Sequence, residues 1–76
     1  MKGYIIYNTE DLAKNQRFIK FITETLNEYN IDVELVITDR LKLTETENPD
    51  FVINRSRNAD ISKYFEGKNI RVFNSG

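Results

Sequence analysis

Two stretches of this chain are apolar without a break. Tyr4-Ile5-Ile6-Tyr7 comes near the start, and Phe51-Val52-Ile53 lies well past the middle. A strand with one wet face alternates apolar and polar residues. A bulky, β-branched run that does not alternate belongs to a strand covered on both faces, as in the interior of a parallel sheet with helices above and below. Two such strands in 76 residues leave few possible topologies.

The second run is the more telling. Asn48-Pro49-Asp50 before it are turn formers. Directly after it the character flips to Asn54-Arg55-Ser56-Arg57-Asn58. In open α/β sheets, ligands sit beyond the carboxyl ends of the strands. The stretch therefore reads as a central strand that delivers Arg55 to a cleft.

Between the two runs the period changes. Phe18, Ile19, Ile22, Leu26 and Tyr29 fall within one arc of about 100° on a helical projection, with Phe21 outside it. This predicts a helix over Gln16 to Tyr29, capped by Asn15. Asn30 suits the left-handed closing position, with Ile31 folding back on the last turn. Asn8-Thr9-Glu10-Asp11 reads as a polar loop whose carboxylates lie near the helix start, where the dipole favours them.

Val33-Glu34-Leu35-Val36-Ile37 is half polar and suits a sheet edge. Thr38 to Glu47 offers only Leu41 and Leu43 for burial, apart from a short turn around Arg40. After the central strand, Asn58 caps a second helix over Ala59 to Glu66, with Ile61, Tyr64 and Phe65 on one face and Gly67 as the stop. Ile70-Arg71-Val72-Phe73 is a last, edge-like strand.

Strand, helix, strand, linker, strand, helix, strand is the order of a parallel α/β sheet. The doubly apolar strands belong inside and the half-polar ones at the edges, which gives the order 2-1-3-4. Right-handed crossovers put the two helices on opposite faces. The expected fold is a small Rossmann-like open sheet of four parallel strands in one domain. The linker crosses on the second helix's side, which holds Leu41, Leu43, Ile61, Tyr64 and Phe65. Residual apolar surface is expected there, to be covered by another domain or by a homodimer partner.

Composition removes many functions. There is no cysteine and no histidine, so no thiolate zinc site, no cysteine nucleophile and no imidazole base. No metal site or catalytic group is expected on this chain. A net charge of -1 gives no field to hold nucleic acid or an anionic membrane. No apolar run approaches the roughly 20 residues that span a bilayer, so the expected compartment is the cytoplasm. Gly3 precedes the first strand rather than following it, so there is neither a P-loop nor a dinucleotide fingerprint.

What remains is the sheet's carboxyl edge. In order 2-1-3-4 the switch point lies between strands one and three. Asn8 and Thr9 end the first, Asn54 and Arg55 the third, and Asn74 and Ser75 leave the fourth nearby. Three amides, two hydroxyls and a guanidinium then converge on one crevice, where Arg55 offers a planar donor fork suited to a carboxylate or phosphate. Against this, asparagines are ordinary turn residues and a loop arginine is ordinarily a solvated charge; Arg57 reads as solvent-facing. Glu10-Asp11 after strand one is faintly similar to the acidic pocket of receiver domains. The likeness breaks at the end of strand three, where a phosphorylated aspartate would stand.

Asn48 to Arg55, a short helix, then Ile70 to Ser75 resembles the N-terminal lobe of ATP-grasp ligases. The branch it looks most similar to is that of glutathione-synthetase-like and ribosomal-protein glutamate ligases. Tyr4 to Asn8, the long helix and Ile31 to Asp39 fit the same pre-ATP-grasp lobe. The resemblance implies a parent enzyme that joins a small carboxylate substrate to an amine with ATP and magnesium, both held by later lobes. By position it implies that Arg55 binds the carboxylate and that Asn74 and Ser75 lead toward the ATP-binding lobes. Residues 1–76 are then expected to be the substrate-side N-terminal fragment of a longer chain, not catalytic alone and holding no cofactor themselves. The alternative is a stand-alone, non-catalytic α/β binding or signalling module that dimerises through its under-covered face.

Overall fold

The computed structural model describes residues 1–40 and 47–74. They form β1 (Lys2–Tyr7), α1 (Thr9–Leu12), a 3-10 turn (Ala13–Asn15), α2 (Gln16–Glu28), β2 (Asp32–Ile37), a second 3-10 turn (Thr38–Arg40), β3 (Phe51–Asn54), α3 (Ala59–Glu66) and β4 (Arg71–Asn74). The four strands make one parallel sheet in the order β2-β1-β3-β4. The expected architecture is therefore the observed one.

The register divides the side chains between two cores. Ile5 pairs with Leu35 on one side and Ile53 on the other, and Ile53 with Phe73. On that face Ile5, Tyr7 and Ile19 of α2 are buried, with Leu12, Ile22, Val33 and Ile53 packed around them. The opposite face buries Tyr4, Ile6 and Val52 against Ile61 and Phe65 of α3. Phe65 is the keystone there: it is 1% exposed and meets Tyr4 and Tyr64 edge to face at 6.4 and 5.3 Å.

The amino ends of the central strands are locked together. The Lys2 amide donates to the Asp50 carboxylate, and the Asp50 amide donates back to the Lys2 carbonyl, both at 2.7 Å. The far end of the Phe51 ring lies against Gly3, where a Cβ would come within 2.2 Å of it. The Tyr4 hydroxyl donates to the Glu47 carbonyl at 3.0 Å.

Both helix-to-strand turns use one device. Asn30 (φ 63°) and Asn69 (φ 62°) take the left-handed position, and the amides of Ile31 and Ile70 reach back to the carbonyls of Leu26 and Phe65. Asn30 does this as expected. In the second turn Gly67 stays right-handed (φ −63°), and the left-handed role passes to Asn69.

Three expectations are corrected. The first helical segment begins at Asn8, whose side chain accepts the Asp11 amide at 2.7 Å; Asn15 instead donates from its side chain to the Asp11 carbonyl. Tyr29 does not join the core and is 72% exposed. The open apolar surface among the described residues lies on the α2 face, where Phe73 and Leu35 are exposed, and not on the α3 face. A groove of about 380 Å³ there is lined by Ile22, Leu26, Phe51, Ile53 and Phe73. The cause is topological. The β1-to-β2 crossover places α2 over β1 and β2, while the β3-to-β4 crossover runs the opposite way and places α3 on the other face. β3 and β4 are thereby left without a helix on the α2 side. Leu41 and Leu43 lie outside the described residues.

Candidate functional site

The switch point forms between the outgoing ends of β1 and β3. Asn8 stops β1 by capping α1. The Arg55 amide continues the ladder by donating to the Ile6 carbonyl at 2.9 Å. Beyond it the chain turns sharply, with Arg57 held at φ 68°, a conformation that costs a non-glycine residue about 1–2 kcal/mol. Asn58 then caps α3 by accepting the Asp60 amide at 3.0 Å.

Side chains alternate along β3, so neighbouring residues point to opposite faces. Arg55 follows Ile53 onto the α2 face. Its guanidinium sits 4.5 Å from the centroid of the Phe18 ring and 5.5 Å from that of Tyr7. Both distances are within cation–π range, so the rings hold the guanidinium over them. Tyr7 is 1% exposed. Burial pushes its phenol above the usual value, and the Arg55 charge beside it pulls the other way without cancelling the effect.

Asn54 follows Val52 onto the α3 face. It donates to the Asn58 carbonyl (3.0 Å) and to the Ser62 hydroxyl (2.8 Å), and its oxygen accepts from the amide and the hydroxyl of Ser56. An amide has two donor hydrogens and two acceptor lone pairs. All four are used inside the protein, so Asn54 shapes the loop rather than facing a ligand. Ser62 passes the chain on by donating to the side chain of Asn74.

The single crevice expected from the sequence is thus divided. Asn54 and Asn74 meet through Ser62 on one face, and Arg55 stands on the other. Asn8 stays at the switch point, where its side chain donates to the Ser56 carbonyl at 3.4 Å. Thr9 donates to the Asp39 carboxylate at 2.6 Å, tying α1 to the end of β2. Ser75 lies outside the described residues. Arg57 is exposed as expected, with Asp11 at 3.9 Å, a spacing that contributes little at a wet surface.

The sequence reading missed Tyr7, Phe18, Ser56 and Ser62. Parity would have found two of the links. Counting by twos from Ile5 and Ile53 places Tyr7 beside Arg55, and counting from Val52 sends Asn54 to the α3 side. Ser62 gave no signal of its own, since a serine inside a short helix is usually solvated. Among the described residues no group of three or more His, Cys, Asp or Glu could hold a metal ion, and no helix is long and apolar enough to cross a membrane. Compared with protein-family models, with curated proteins and with solved structures, the chain finds no match.

Proposed function

We propose that this chain is the substrate-side N-terminal lobe of an ATP-dependent carboxylate–amine ligase of the ATP-grasp kind, working in the cytoplasm and not catalytic on its own. The observation that carries the reading is the 2-1-3-4 parallel sheet with a half-buried arginine, held over the Phe18 ring, at its switch point. Ligands of open α/β sheets bind at that place. The planar fork of a guanidinium suits the bidentate geometry of a carboxylate.

In this reading Arg55 binds and orients the carboxylate of the small substrate. Phe18 and Tyr7 hold its guanidinium over their rings, and the Asn54 network holds the loop that carries it. Asn8 joins the facing loop to that one through the Ser56 carbonyl. ATP and magnesium belong to further lobes of a parent chain, which supply the activation of the carboxylate; no step is assigned to a metal on these residues.

The test is made in the protein whose reading frame carries these residues. It should hydrolyse ATP only when both a carboxylate and an amine are supplied. Arg55→Ala should lower kcat/KM for the carboxylate about 10- to 100-fold, the worth of one charged hydrogen-bonding group. Carboxylate-independent turnover, or unchanged kinetics in the variant, would reject the role of Arg55.

The open groove on the α2 face favours a second reading, a non-catalytic α/β module that pairs through that face. Binding of the isolated chain to a partner, with no ligase activity in the full reading frame, would select it.

A further inference from the structure

The charges of α2 are arranged against its own dipole. Lys14, Arg17 and Lys20 occupy the lead-in turn and the first half, and Glu24 and Glu28 the second half. The first turn has no acidic residue and the last turn no basic one. A helix is stabilised by the opposite placement, by about 0.3–1 kcal/mol per charge. Glu24 and Glu28 also repel each other at i,i+4, and Lys20 precedes Glu24 in the weaker orientation for such a pair. Nothing within the helix accounts for this pattern.

Phe21 lies between the two charge blocks and is 66% exposed. On a projection of 100° per residue, Phe18, Thr25, Phe21, Glu28 and Arg17 share one arc of about 100°. Its position relative to the sheet is fixed by the two sides of α2. Thr23, Glu24 and Asn27 line a polar hollow with Lys2 of β1 and Asp32 and Glu34 of β2, Glu24 standing at its Phe21-side rim, whereas Ile22 and Leu26 line the apolar groove over β3 and β4. The Phe21 arc continues from the groove side.

We infer that this chain pairs with a second copy of itself, α2 against α2, antiparallel about a two-fold axis beside Phe21. Lys14, in the 3-10 turn that leads into α2, and Glu28, the last residue of α2, are both seven residues from Phe21, so in that arrangement the Lys14 end of one copy lies toward the Glu28 end of the other. Arg17 and Glu24 match to within one residue, about 1.5 Å of rise. Phe21 meets its own symmetry mate. The same charges that oppose the dipole in one helix become complementary across the pair, and a two-fold axis makes one patch serve both sides. A contact of one helix length is smaller than a standard interface of about 1,600 Å². The dimer is therefore weak and concentration-dependent. The inference stands apart from the ligase reading, because its test reads mass and not activity.

Sedimentation equilibrium of the 76-residue chain is measured from about 10 µM to 1 mM protein, at about 20 and 500 mM salt. The mass should climb from 9.0 kDa toward twice that value, and less so at high salt. Phe21→Ser should weaken association at least 10-fold. Lys14→Glu with Arg17→Glu, or Glu24→Lys with Glu28→Lys, should each do the same while leaving helical circular dichroism intact, since both changes suit the dipole better. An equimolar mixture of the two charge variants should associate again. A wild-type chain that stays monomeric throughout would overturn the inference, as would charge variants that self-associate like the wild type, or a mixture that stays apart.

Discussion

Asn54→Ala removes a buried side chain that ties β3, the following loop and α3 together. Four hydrogen bonds are lost at once, to Asn58, to Ser62 and two from Ser56. Each contributes about 0.5–1.5 kcal/mol net, and a buried donor left unsatisfied costs about 1–3 kcal/mol. Asn54 is 4% and Ser56 6% exposed, so the Ser56 amide has little water to turn to. The Ser62 hydroxyl keeps Asn74, and the exposed Asn58 region can hydrate, which trims the loss. The net cost should be about 2–4 kcal/mol. A chain of 76 residues has about 4–11 kcal/mol in all at about 0.05–0.15 kcal/mol per residue. The variant should therefore melt roughly 10–30 °C lower, at about 4–8 °C per kcal/mol for this size. Asn74→Ala, at the exposed end of the same chain of bonds, loses only the contact from Ser62 and should cost under about 1 kcal/mol. Urea unfolding followed by circular dichroism reads both. If Asn54→Ala stays within about 0.5 kcal/mol of the wild type, the network is not holding the loop and its placement of Arg55 has no support.

The Phe51 ring lies against Gly3 so closely that Gly3→Ala must push the ring aside, at about 1–3 kcal/mol of destabilisation; chemical denaturation would show it, and a neutral result would mean that the ring moves freely. Burial raises the phenol pKa values of both Tyr4 and Tyr7 above the ordinary 10. Their neutral forms are favoured by folding, so this contribution is complete below pH 10 and is lost as pH rises from 10 through the folded values. Absorbance at the phenolate band should show two tyrosines of the folded chain ionising above 10, with stability falling over the same range. Ionisation of all four tyrosines at 10 without loss of structure would contradict the burial.

Strand interiors were legible because uninterrupted apolar runs have few interpretations. Tyr4 to Tyr7 and Phe51 to Ile53 each appear where a doubly covered strand must be, and the half-polar runs appear at the edges. The site was less legible because its residues were read by their nearness to a strand end. Alternation decides more than nearness: one residue of difference sends Asn54 and Arg55 to opposite faces. Asn8 was taken for a loop residue, although an asparagine followed three residues later by an aspartate is a capping pattern. The open face was assigned to the wrong side because apolar residues per segment were weighed without asking which strands each crossover roofs. Phe21 and Tyr29 show a limit of periodicity, which locates a helix's apolar arc but not how far the sheet beneath it extends.

No strand in this sheet has a local partner. Lys2 meets Asp32, Gly3 meets Phe51 and Phe51 meets Arg71. Every backbone ladder must therefore wait for a long loop to close, and parallel pairings of that kind assemble slowly. Because β1 lies between β2 and β3, and both follow it in the chain, it is satisfied on both edges only after β3 has been made. Until then its most water-averse segment stands unpaired, a period in which chaperones or self-association would compete for it. Extra residues inserted between positions 40 and 47 would raise the entropic cost of that closure only logarithmically with length.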